Sequence, residues 1–146
     1  MASTETISDV PTRQLVMFRL GERPYAIQLS VVREIIPHRA GTRVPGAPSF
    51  VPGLINVRGT IITVVDLGMR LHGESSSRAE GSIVLIERGS RVVGMAVDEV
   101  LDVVRVAESE LEPPAPGTES VQAAARVGGA VVMVLNLEEI VSHVLL

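Results

Sequence analysis

Cysteine, lysine and tryptophan are all absent from this chain. Without cysteine there can be no disulfide, no thiol nucleophile and no thiolate metal site. Without lysine, Schiff-base chemistry and a phosphate-gripping Walker lysine are excluded, and all 13 basic residues are arginine. Aromatic residues are scarce as well, with only Phe18, Tyr25 and Phe50. A basic stripe interleaved with stacking aromatics, the usual footprint of nucleic-acid binding, is missing, and the net charge is −4. Nucleic acid is therefore not expected as a partner. No apolar run approaches the roughly 18 residues of a membrane helix. The opening "MASTETISDVPTR" has neither a charged start nor an apolar stretch, so no secretory signal is expected and a cytoplasmic protein is.

What the chain does have is Val, Ile, Leu and Met in quantity. Apolar residues make up 46% of 146 positions, enough for one domain that buries roughly two thirds of its unfolded surface. Abundant β-branched residues favour strands. "RQLVMFRL", the turn "GERP" and "YAIQL" predict a first hairpin. In "SVVREII" the apolar positions Val32, Ile35 and Ile36 take helical spacing until Pro37 stops the element. "RAGTRVPGAPSFVPG" reads as a loop, and Asp66 or Gly68 opens a brief helical turn through "MRLH". "SIVLIE" and "RVVGMAV" flank "RGS" as a hairpin, and "SVQAAARV" and "AVVMVL" flank Gly128-Gly129 as another. Asn136 and Glu139 have the spacing of a helix cap and its reciprocal partner, opening a terminal helix.

Nine or ten short strands at regular spacing predict an all-β chain, a sandwich or barrel. The polar joint "GESSSRAEG" (73–81) favours two small barrels, although no strict repeat links the halves. The expected layout is a tail over 1–12, a first barrel over about 13–80, a second over about 81–136 and a helix over 137–146.

Within this pattern "GLINVRGTIITVVDL" (53–67) stands out. Ile55 and Val57 point to one face of an extended chain, Asn56 and Arg58 to the other, and the alternation resumes after Gly59. Two strands meeting at a glycine predict a tight antiparallel pair. Arg58 is then either the wet side of that pair or a residue with a task.

Catalytic equipment is thin. His38, His72 and His143 are isolated in sequence, and none forms a metal-ligand pair at helical spacing. Ser75-Ser76-Ser77 lacks the context of a nucleophile. Asp98 and Asp102 read as solvated strand-edge residues; a small hydrolase would require them to converge with His72. A generic peptide-binding barrel is the other alternative.

The blocks "LVMFRLGERPYAIQLSVVREI", "PGLINVRGTIITVVDL", "GSRVVGMAVDEVLDVV" and "VVMVLNLEEI", in this order, resemble the CheW family of chemotaxis coupling proteins, from about Gln14 to Ile140. The resemblance implies two five-stranded barrels of the Src-homology type packed side by side. It also implies an adaptor without catalytic activity, metal or cofactor. Its partners would be the cytoplasmic tips of chemoreceptors and the regulatory domain of the CheA histidine kinase. Membrane association would come only through the receptors. Outputs other than flagellar chemotaxis, such as twitching or gliding, are also served by this family.

Carried over residue by residue, the resemblance pairs Arg58 with Glu34 beside a receptor-binding groove, half-buried at its rim. It associates Val32, Gly53, Asn56, Gly59 and Val103 with receptor binding, and Ile83 with kinase binding. Arg58 either touches the receptor or only shapes the groove. One departure is Ala123, where the family often has glycine before its last hairpin; a changed bulge is expected there.

Overall fold

The computed structural model describes residues 11–142. Its eleven strands are β1 (Thr12–Leu20), β2 (Arg23–Gln28), β3 (Val32–Pro37), β4 (Gly53–Val57), β5 (Thr60–Asp66), β6 (Ser82–Arg88), β7 (Arg91–Val97), β8 (Glu99–Ala107), β9 (Leu111–Glu112), β10 (Val121–Val127) and β11 (Ala130–Leu135). Two short α-helices follow β5 and β11: α1 (Leu67–His72) and α2 (Leu137–Val141). The expected tail falls mostly on residues 1–10, outside the described residues, and Thr12 already belongs to β1. The last four residues of the expected terminal helix also lie outside them, as does His143.

The strands form two barrel-like sheets, one in the order β8-β1-β2-β11-β10-β9 and one in the order β3-β6-β7-β5-β4. The expected division at residue 80 does not hold. The middle of the chain, β3 to β7, builds the five-stranded sheet, while both ends supply the six-stranded one. The reason is a pair of non-local parallel contacts. β2 pairs with β11 through Tyr25 and Ala26, and β5 pairs with β7 from Thr63 to Asp66. Hairpin signals are local and say nothing about such contacts. Nor is "GESSSRAEG" a boundary: Ser76 is buried, its hydroxyl accepting from Gly68 N at 2.8 Å and lying 2.7 Å from the Ala96 carbonyl oxygen.

Period-two alternation explains the three layers of core. On β6, Ile83 and Leu85 fill the interior of the five-stranded barrel, with Ile36, Ile55, Val57, Ile62 and Val64. Their neighbours Val84 and Ile86 face the other way, into a seam shared with Val16, Phe18, Ile27 and Leu135 of the second sheet. Leu15, Ala26, Val106, Val132 and Val134 fill the six-stranded barrel. Both faces of these strands are therefore apolar, which is why they read as continuous hydrophobic runs.

Four predicted hairpins are present, at 20–23, 57–60, 88–91 and 127–130. The helical turn after Asp66 also forms, capped by the Asp66 carboxylate, which accepts from Met69 N at 3.1 Å. "VREII" is a correction. Val32–Pro37 is a strand paired with β6, and only a 3₁₀ turn over Leu29–Val31 precedes it. β-branched Val32, Ile35 and Ile36 fit a ladder, and Pro37 cannot continue a helix. Period-two alternation sends Ile36 inward and leaves Ile35 exposed, and the register with β6 is irregular between Val32 and Glu34.

Candidate functional site

The β4–β5 hairpin turns in two residues, Arg58 and Gly59, because Val57 pairs with Thr60. Both turn residues have positive φ, 50° and 90°, as a type I′ hairpin requires. Gly59 accepts that backbone freely. Arg58 does not, and it is the single non-glycine residue with positive φ among the described residues. Asn56 supports the turn, its side-chain oxygen accepting from Gly59 N at 2.8 Å. Arg39 donates to the Asn56 carbonyl at 3.0 Å.

From this turn the Arg58 guanidinium reaches Glu34. Nη1 donates to Oε2 at 3.2 Å and Nη2 donates to Oε1, a parallel two-point contact. β3 and β4 are the two ends of the five-stranded order, so this ion pair spans the gap between the edges of that barrel. The expected half-burial is only partly met: the Glu34 side chain is 33% exposed, but that of Arg58 is 70% exposed. The pair lies on the surface, and its strength is screened by water and salt. The hydrogen bonds from Arg58 hold the Glu34 carboxyl below the usual carboxylate range. The same contact raises the guanidinium further above its ordinary value.

Beneath the pair is a depression of about 180 Å³ whose wall includes Arg33, Glu34, Arg58 and Thr60 and whose floor includes Val57, Ile62 and Leu85. Ile35 and Ile61, 41% and 61% exposed, stand next to it in sequence and register. Sequence reasoning missed both. Their signal was an apolar residue on the wet side of an alternating strand.

The remaining candidates separate. Gly53 has a structural reason of its own: a Cβ there would lie 2.4 Å from the Thr42 carbonyl oxygen, where Thr42 and Leu54 form a bridge. Val32 is half-buried against the seam core. Val103 is exposed on β8, an edge of the other sheet. Ile83 has no exposed surface at all, so as a direct contact it is corrected: it is part of the five-stranded interior.

A second depression, also missed, lies on the six-stranded sheet. It measures about 560 Å³ and is lined by Tyr25, Pro113, Pro114, Val131 and Met133, among others. Val131 and Met133 are exposed there, again on the wet side of a strand. Ala123 sits at an irregularity of the β10–β11 register, where the altered bulge was expected.

The residues a hydrolase would need are held apart. Asp98 is buried rather than solvated, accepting from Gly21 N at 2.7 Å and pairing with Arg78 at 3.0 Å. Asp102 accepts from Val103 N on exposed β8. His72 is bonded to the Tyr25 hydroxyl at 2.6 Å, and burial, then the nearby Arg23 charge, lowers its pKa. His38 faces Ser77. Among the described residues no three His, Asp or Glu side chains gather as a metal site, and no helix is long and apolar enough to cross a membrane.

Comparison with known proteins gives a consistent result. The CheW-like domain family matches residues 14–145. The chemotaxis protein CheW of Klebsiella aerogenes is 29% identical over 153 aligned residues, covering 97% of this chain and 92% of that protein. The chemotaxis protein CheW of Rhizobium meliloti is 33% identical over 102 residues, covering 69% of this chain and 66% of its own length. The crystal structure of the scaffolding protein TtCheW from Thermoanaerobacter tengcongensis superposes with a TM-score of 0.82 at 29% identity, covering 88% of this chain and 91% of that one.

Proposed function

Because the chain belongs to the CheW family of non-catalytic chemotaxis adaptors, we propose that it joins chemoreceptor tips to the regulatory domain of a CheA-type histidine kinase. In this reading it works in the cytoplasm and reaches the membrane only through receptors. The observation that carries the reading is the Glu34–Arg58 corner, held by a backbone conformation arginine rarely adopts. A helical receptor tip could lay its apolar face against Ile35 and Ile61 while Arg58 and Asn56 fix its register. Gly59, without a side chain, permits close approach. Val32 and Val103 would border the same partner, and Gly53 acts through the backbone path it allows.

The kinase would use the apolar depression around Val131 and Met133 on the other sheet. Ile83 would affect kinase binding only through the packing of the barrel interior. Two apolar surfaces on two barrels are what a bridging protein needs.

The test is co-sedimentation of the purified protein with receptor-bearing membranes, with and without CheA. Wild type should sediment with the membranes and carry the kinase down. Arg58→Glu, which sets like charges against each other at Glu34, should weaken receptor co-sedimentation about fivefold or more, with a melting midpoint within a few degrees of wild type. Unaltered sedimentation of this variant would remove Arg58 from the contact. Wild-type protein that sediments with neither partner would overturn the adaptor reading.

A further inference from the structure

We propose that Arg70 and Glu139, where α1 meets α2, are positioning residues that fix the mutual angle of the two barrels. The idea rests on the adaptor reading and goes beyond it by naming what transmits one partner's state to the other. α1 follows β5 of the five-stranded sheet and α2 follows β11 of the six-stranded one. Arg70 lies in the last turn of α1 and Glu139 in the first turn of α2, so each charge also complements its own helix dipole. Arg70 Nη2 donates to both Glu139 oxygens, at 3.1 and 3.2 Å. The two side chains are only 21% and 29% exposed. The guanidinium is also held 5.6 Å from the centre of the Phe50 ring.

Two further polar ties cross at the same junction. His72 of α1 meets the Tyr25 hydroxyl of β2, and Arg88 at the end of β6 meets Glu138 of α2. Below them Leu67, Ile140 and Val141 belong to the seam core. The close-packed apolar seam supplies most of the attraction between the barrels, and directional polar ties at its rim add to the definition of their angle. One such tie is the Arg70 Nη2 shared between both Glu139 oxygens at the helix ends. Docking surfaces on different barrels influence each other only if the angle between them is defined, and this pair contributes to defining it together with the two ties beside it.

The absence of native cysteine makes the test direct. Spin labels on Ser90→Cys in the β6–β7 turn and Ala130→Cys at the start of β11 read one distance between the barrels. Wild type should give one narrow distance distribution. Arg70→Glu should broaden or shift it, and the charge swap Arg70→Glu with Glu139→Arg should restore it. Binding of receptor membranes alone and of CheA alone should stay within about twofold in all three, while receptor control of CheA autophosphorylation falls about fivefold or more in Arg70→Glu and recovers in the swap. If Arg70→Glu unfolds, Glu139→Gln carries the same comparison. A narrow, unshifted distance with full kinase control in the folded single variant would overturn the proposal. Failure of wild type to bind either partner would instead refute the adaptor reading, with the distance measurement still deciding the role of the pair.

Discussion

Residues 53–72 and 123–142 trace the same path in the two sheets: a strand, a two-residue turn, a returning strand and a capped helix. Matching positions are 70 residues apart, as at 58 and 128 or 66 and 136. β5 then runs parallel to β7, and β11 runs parallel to β2. The turn angles agree closely, with φ of 50° and 90° at Arg58 and Gly59 against 56° and 84° at Gly128 and Gly129. Asp66 accepts from Met69 N, and Asn136 accepts from Glu139 N. One backbone design has been filled with two different sets of side chains.

The differences lie in the side chains that the two copies carry. Glycine at 128 satisfies its turn without strain, whereas arginine at 58 meets the same left-handed backbone with a Cβ. That residue is placed against its own conformational preference, and it carries the ion pair across the barrel edge. At the strand start, Gly53 is hemmed in by the Thr42 carbonyl, while Ala123 occupies the matching position at a register irregularity. At the cap, Asp66 serves a buried network and Asn136 serves one helix.

The comparison breaks most severely at the strand starts. Gly53→Ala forces a Cβ to within 2.4 Å of backbone oxygen at φ 156°, where neither side can give way. A loss of about 3 kcal/mol is expected from overpacking and strain together, read as a fall of roughly 10 °C in melting temperature. The matching Ala123→Gly should cost less than about 1 kcal/mol. Equal losses at both positions would mean that the close approach at Thr42 is not what constrains residue 53.

The caps come next. Asp66 accepts from Met69 N, Ser76 N and the Ser75 hydroxyl, and lies 2.9 Å from the Ser76 hydroxyl. Asp66→Ala strands the buried Ser76 amide and the part-buried Met69 amide and should cost about 2–3 kcal/mol, against about 1 kcal/mol for Asn136→Ala, which loses one cap. Burial by itself would raise the pKa of Asp66, but the bonds from Ser75, Ser76 and Met69 outweigh it and lower it. A folded-state pKa below the unfolded value of about 3.9 stabilises the protein fully at neutral pH, and that stability is lost as pH falls through the folded value. Wild type should therefore lose stability more steeply than Asp66→Ala in denaturant titrations below about pH 4. Parallel curves would place the acid sensitivity elsewhere.

Caps and turns were the legible part of this sequence, because each is a local rule written in a few residues. Asp66, Asn136 and the glycines after Leu20, Arg58, Arg88 and Val127 announced their structures directly. The reciprocal half of the Asn136 cap did not follow: the Glu139 carboxylate goes to Arg70 instead, a long-range partner with no local signature. The allocation of strands to barrels was illegible for the same reason, since β2 and β11 meet across more than a hundred residues. The repeat itself escaped notice because only the backbone is repeated; apart from the Val57 and Val127 strand ends and the Leu67 and Leu137 helix starts, few identical residues recur. Arg58 stands out in the alternation of its strand and Glu34 only through family resemblance; the half-burial expected of the pair holds for Glu34 but not for Arg58. The resemblance associates Ile83 with kinase binding, yet it lies in the core, and an isoleucine on a strand looks the same in sequence whether it faces in or out.

The turns give the smallest effect on stability and the sharpest separation of roles. Exchanging the two turns, with Arg58→Gly and Gly128→Arg made separately, moves the same side chain out of and into the same backbone. Gly128→Arg should cost about 1 kcal/mol from the left-handed Cβ alone, since nothing lies within 4 Å of a Cβ there. Arg58→Gly removes that strain but also removes an exposed ion pair and loosens the unfolded chain, so the melting temperature should move by no more than about 2 °C. If Arg58 were chiefly a brace for the barrel edge, losing it would expose amides of β3 and β4 to faster hydrogen exchange and lower the melting point clearly. If its task is recognition, exchange at those edges stays near wild type while receptor co-sedimentation falls. Measuring both on one variant decides between a brace and a contact, because strain relief cannot mimic the loss of a partner.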